Sequence, residues 1–287
     1  MNLIIGSLLV LGSVAGGFIL SGGQLLALIQ PYELMVIGGA AFGAFFISNP
    51  MHVVIDALKA VPALLSGSKY NRDRYLELFG LLSVILKKVR KEGMLAIESD
   101  IEEPENSPLF EQFPNITKDH HAVEFITDYL RMMVTGTTDP FQLDNLMQVE
   151  IDTHHHEGAE TSHALTQVSD GLPGFGIVAA VLGIVITMGA IGGPVEEIGH
   201  HVAAALVGTF LGILLAYGFV GPMATALSHR NDDAGKFLAV IKAILLAVIQ
   251  GYAPVVALEF GRKTMPSTVR PSFRELEEYL KGGAGNE

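Results

Sequence analysis

Residues 171–228 read GLPGFGIVAAVLGIVITMGAIGGPVEEIGHHVAAALVGTFLGILLAYGFVGPMATALS, and this stretch decides the fold. It contains no Lys or Arg. Gly192, Gly193 and Pro194 divide it into an apolar run from about Pro173 to Ile191 and a longer one from about Val202 to Leu227. A hydrocarbon core of roughly 30 Å takes about 20 apolar residues of helix, so each run is long enough to cross a bilayer. Residues 1–50 also lack Lys and Arg and hold two further runs, Asn2–Leu20 and Glu33–Ser48, joined through Ser21, Gly22, Gly23, Gln30 and Pro31. All 18 Lys and Arg lie in 51–170 and 229–287. Basic loops stay on the cytoplasmic side. The pattern therefore predicts an all-α membrane protein: a transmembrane hairpin in 1–50, a cytoplasmic helical loop domain in 51–170, a second hairpin in 171–228, and a cytoplasmic helical tail in 229–287. Both termini lie inside, and the turn carrying Glu196, Glu197, His200 and His201 lies outside. The first run has no basic start and a second span follows closely, which favours a span over a cleaved signal peptide.

Composition excludes several functions. The chain has no Cys, hence no disulfide and no thiolate metal site. Its net charge is -12, arising mainly from 51–170, where 20 Asp and Glu face 10 Lys and Arg; nucleic acid is not an expected partner. The run His154, His155, His156 points in successive directions around a helix and lacks the one-face spacing of a metal site. There is no phosphate-cradling loop and no catalytic triad. No metal, cofactor or enzymatic activity is expected.

An ion leaving water for the membrane needs a group that replaces its hydration. The four runs hold no Asp, Glu, Lys, Arg or His in their interiors, and Glu33 sits at a helix end. A titrating carboxylate must then come from another chain, or the spans are only an anchor. The later runs carry the polar residues Thr187, Thr209 and Tyr217, the last two sharing a helix face, while Ala180, Gly183 and Thr187 share another. These faces line a weakly polar pathway, or the hydroxyls bond their own i−4 carbonyls; the residues alone favour the second. Ala204, Gly208, Gly212 and Ala216 form a ladder of small residues, with Gly12/Gly16 and Gly39/Gly43 repeating the spacing that lets membrane helices approach closely and assemble. Pro173 opens the third run as a start signal, and Pro222 falls inside the fourth and should kink it.

From Tyr70 to Ile97 apolar residues recur in a helical pattern that ends in a charge reversal: Lys87, Lys88, Arg90 and Lys91, then Gly93, then Glu98, Asp100, Glu102, Glu103 and Glu105. Such a run is a solvated face or a surface that registers a charged partner. Ser272 and Glu275, three apart after Pro271, have the spacing of a capping box, and Gly282–Glu287 read as a frayed end.

The stretches GFGIVAAVLGIV (174–185), VGTFLGILLAYGFVGPMAT (207–225), GYAPVVALEFGRKTM (251–265), RPSFRELEEYL (270–280) and PYELMVIGGAAFGAF (31–45) closely resemble the MotA family of flagellar stator proteins, in the long form found in proteobacteria. The resemblance spans nearly the whole chain. It implies residence in the bacterial inner membrane as a pentamer around a dimer of MotB, the peptidoglycan-anchored partner that supplies the membrane Asp absent here. It also implies that ion passage drives the cytoplasmic domain against the rotor protein FliG. The family's rotor-contact charges match Arg90 and Glu98, its coupling prolines Pro173 and Pro222, and its channel-side residues Ala180, Thr209 and Tyr217. Sodium-driven relatives tend to carry Thr where Ala180 stands, and a bare methyl offers no oxygen to a sodium ion, so the transported ion is expected to be a proton. The related ExbB and TolQ energisers usually have three spans, and a passive scaffold would conduct nothing; these are the alternative readings.

Overall fold

A computed structural model describes residues 2–136 and 139–282; the expected frayed end beyond Gly282 lies outside the described residues. The described residues are helical, without strands. Four helical segments are long and apolar enough to cross a membrane: Asn2–Leu20, Leu25–Ser48, Pro140–Gly189 and Val195–Ile249. The chain divides into two compact units, Met1–Gly67 with Glu157–Arg230, and Ser68–His156 with Asn231–Glu287. The charge pattern placed its divisions at 50, 170 and 228 instead. They differ because charge marks where lipid ends, whereas helices continue past that point.

In the first unit the Met51–Ala63 helix buries Val53, Val54 and Ala57 against Phe45, Ala164, Leu165, Ala224 and Leu227. A second cluster joins Ile37 and Ala41 to Leu172, Ala179 and Ala216. The Asn2–Leu20 helix buries no residue within the chain, and Leu8 and Leu9 are each 65% exposed. In water such a face would be costly; in lipid it is the matching surface.

Three boundaries correct the sequence reading. Pro173 does not start a helix: it lies inside the unbroken Pro140–Gly189 helix. A membrane helix tolerates the proline because neighbouring helices and hydroxyl side chains satisfy the backbone it disturbs. The following helix starts at Val195, not near Val202, so Glu196 and Glu197 occupy its first turn, where carboxylates complement the N-terminal end of the helix dipole. The kink expected at Pro222 is a π-turn over Ala216–Val220, after which the helix resumes as Gly221–Ile249.

The second unit surrounds one apolar core that includes Leu78, Phe79, Leu82, Phe125, Phe237 and Ile241; each such fully buried side chain contributes about 1.5–3 kcal/mol. The Arg72–Glu92 helix runs through this core. Its start is capped by Asn71, whose Oδ1 accepts the Arg74 N–H at 3.0 Å. Gly93, at φ 90°, ends it, a conformation that costs glycine little. The predicted capping box is formed in full: the Ser272 N–H donates to Glu275 Oε2 at 2.7 Å, and the Glu275 N–H donates to Ser272 Oγ at 3.2 Å.

Candidate ion pathway and coupling site

The small-residue ladder is the buried face of the Val195–Leu215 helix and its π-turn: Ala204, Gly208, Gly212 and Ala216 are all buried. The approach of the Pro140–Gly189 helix is set by backbone rather than side chains. A Cβ on Gly212 would lie 2.7 Å from the Leu172 carbonyl oxygen and 2.9 Å from Gly176 Cα. One on Gly183 would lie 2.9 Å from Ala205 Cβ. By contrast Gly12, Gly16, Gly39 and Gly43 face open space within the chain.

This close approach brings together residues that are far apart in sequence. A Cβ on Gly208 would meet Ala179 Cβ at 3.2 Å, Glu33 Cγ at 3.5 Å and the Ala180 nitrogen at 3.6 Å, and one on Gly176 would meet Thr209 Cα at 3.3 Å. Ala180, Thr209 and Gly208 thus share one region with Glu33, which the sequence reading had set aside. One Glu33 oxygen is inaccessible and has no hydrogen-bond partner among the described residues. The available signal was that Glu33 is the carboxylate at the mouth of an apolar run. Tyr217 is the second residue of the π-turn and is 66% exposed within this chain. Thr187 donates to the Gly183 carbonyl at 2.8 Å, as the i−4 reading requires.

Between the two prolines' helices lies a contact made by a residue the sequence did not flag. Ser169 is buried and donates its hydroxyl to the Ala216 carbonyl at 3.0 Å, joining the Pro140–Gly189 helix to the first residue of the π-turn. Pro173 lacks the N–H that would meet the Ser169 carbonyl, and Pro222 lacks the one that would meet Gly218.

In the other unit the charge reversal resolves into two kinds of residue. Lys88 and Asp100 are not a solvated face. Asp100 is buried, pairs with Lys88 Nζ at 2.8 Å, and accepts the Ser107 hydroxyl at 2.7 Å. Arg131 likewise holds Glu102 at 2.7 Å. Arg90, in the last turn of Arg72–Glu92, and Glu98, opening Glu98–Glu102, are exposed and form no ion pair among the described residues. Arg90 and Lys87 border an apolar cavity of about 310 Å³ floored by Ser83, Leu258 and Leu276. The tail helix docks beside it: Glu275 pairs with Arg72 at 2.9 Å. The Ser272 backbone N–H first, and Arg72 with it, holds the Glu275 carboxyl down to about 2. The histidine run is partly engaged, His155 Nε2 lying 3.1 Å from Asp232.

Two family profiles match the chain: Motility protein A N-terminal over residues 4–93, and the MotA/TolQ/ExbB proton channel family over residues 117–238. Motility protein A of Salmonella typhimurium is 44% identical, covering 98% of this chain and 95% of that protein. The chain belongs to the motility protein A family. Motility protein A of Escherichia coli is 45% identical with the same coverage, and Chemotaxis protein LafT of Vibrio parahaemolyticus is 39% identical over 98% of both chains. Among solved structures the fold matches that of C. jejuni MotAB, with TM-score 0.75, 22% identity, and coverage of 93% of this chain and 97% of that one.

Proposed function

We propose that this motility protein A family member is a stator subunit of the bacterial flagellar motor, a multi-pass protein of the inner membrane with both termini cytoplasmic. The observation that carries the reading is identity of 44–45% to two Motility protein A chains over 98% of this chain. The division into a membrane hairpin at 1–50, a loop domain at 51–170, a second hairpin at 171–228 and a tail at 229–287 remains our assignment of lipid-facing and cytoplasmic parts.

In this reading the chain forms a pentamer around a MotB-type, peptidoglycan-anchored partner, whose Asp titrates beside Ala180, Thr209 and Tyr217. Ala180 presents only a methyl group, which supports a proton as the cargo. Gly208 and Gly212 hold the two pathway helices in contact, and Pro173 and Pro222 pass the movement on. Arg90 and Glu98, exposed and free of ion pairs among the described residues, meet FliG. One charge crossing about 150 mV releases roughly 3.5 kcal/mol, enough to shift a two-state element by two to three powers of ten. The protein is a transducer and not an enzyme, and takes no cofactor.

Proton flux in proteoliposomes tests this. The chain reconstituted with its MotB-type partner should acidify the lumen under an applied potential. Replacing the partner's membrane Asp by Asn should abolish the flux. Equal flux with and without that Asp would overturn the pathway. A complex that conducts but powers an envelope process instead of swimming would move the chain to the ExbB and TolQ type.

A further inference from the structure

We propose that the Ser169 hydroxyl fixes the register of the π-turn at Ala216–Val220 and is the positioning residue that latches the Gly221–Ile249 helix. A π-turn is an α-helix carrying one surplus residue in a turn; removing the surplus rotates everything beyond it by about 100°, and moving it rotates the residues between its old and new places. Something must therefore hold it in place. Pro222 explains a defect in this neighbourhood, because it cannot donate to Gly218, but a proline alone is accommodated by a simple kink.

The second determinant is Ser169. The Ala216 carbonyl accepts two donors, the Gly221 N–H that closes the π-turn and the Ser169 hydroxyl at 3.0 Å. Ser169 is 3% exposed, so its hydroxyl has no water to turn to. The geometry also explains Gly221: a Cβ there would stand 3.0 Å from Ser169 Oγ and 3.1 Å from the Ala216 oxygen. One turn earlier, Gly212 rests against the Leu172 and Gly176 backbone with no side chain between. A backbone contact that cannot slide thus sits beside a single hydrogen bond that can break, which are the parts of a two-state element. That the two states serve ion-driven movement rests on the stator reading; the control of register does not.

The chain has no cysteine, so Cys introduced at Ile213 and Thr225, both exposed, would take spin labels at those sites alone. Pulsed electron resonance on the assembled complex in nanodiscs, diluted with unlabelled subunits, should give one distance for the parent. Ser169→Ala should add a second, with the ratio of registers changed about tenfold by loss of one buried hydrogen bond. Ser169→Thr, which keeps the hydroxyl, should restore the single distance. In cells Ser169→Ala should assemble and conduct within twofold of the parent yet turn the motor more slowly. An unchanged distance in Ser169→Ala would overturn the proposal. So would a loss of assembly that Ser169→Thr repairs without any second distance, which would make Ser169 a packing bond only. If the stator reading itself were wrong, the parent complex would fail to power swimming while the distance result stood.

Discussion

Gly212→Ala is the sharpest test of how the pathway helices are held. The added Cβ would sit 2.7 Å from the Leu172 carbonyl oxygen, 2.9 Å from Gly176 Cα and 3.2 Å from the Gly176 nitrogen. All three are backbone atoms, with no flexible side chain to yield. Ordinary contact begins near 3.4 Å, so the two helices must part by about 0.7 Å. Overpacking of this kind costs about 1–3 kcal/mol, while Ala gains up to about 1 kcal/mol over Gly in helix propensity. Gly199→Ala, on the same helix but facing open space, supplies the matched control with the propensity gain alone. Gly212→Ala is therefore expected to be less stable than Gly199→Ala by about 1–3 kcal/mol. Loss of helical circular dichroism on heating the detergent-solubilised complex measures stability, and soft-agar swimming measures function, which Gly212→Ala should also reduce. A Gly212→Ala protein as stable as Gly199→Ala would refute the backbone-contact account.

Four other substitutions and one change of pH separate structural from functional charge. Arg90→Glu should leave the melting transition unchanged and impair rotation, whereas Lys88→Glu should lower the transition itself, because Lys88 pairs with buried Asp100. Asp119, its side chain 2% exposed, holds both Arg74 at 2.8 Å and Lys69 at 3.2 Å; Asp119→Asn leaves the largely buried Arg74 uncompensated and should cost roughly 3 kcal/mol, read as a lower denaturation midpoint. Glu275 is held down to about 2 in the folded state. A depressed carboxylate stabilises above its unfolded value near 4.5, and that contribution is lost as pH falls towards 2. The protection of the Phe273–Gly282 amides, taken relative to intrinsic exchange at each pH, should fall over that window, and Glu275→Gln should show the lower protection already at neutral pH and lose this acid dependence.

The architecture was readable because membrane insertion writes a coarse rule into the sequence: no Lys or Arg in 1–50 or 171–228, and apolar runs of spanning length. Gly208 and Gly212 were readable because close backbone approach demands small residues at a four-residue spacing. Helix ends were less so. Pro173 carries the local signature of a start, but tertiary contacts carry the helix through it, and Pro222 announces a defect without saying that it takes the form of a π-turn. The charge run was ambiguous for a different reason. Whether Lys88 is solvated depends on Asp100 folding back from 12 residues away, and single-residue chemistry does not encode that. Ser169 gave no signal at all, since a serine earns its role only through the Ala216 carbonyl 47 residues later.

The central claim is that the chain turns proton flow into rotation. A strain lacking its own stator pair, supplied with this chain and its MotB-type partner, should be tracked for swimming speed as external sodium and a protonophore are varied. The account predicts swimming that is indifferent to sodium and stops with the protonophore. Swimming that requires sodium and survives the protonophore would contradict it.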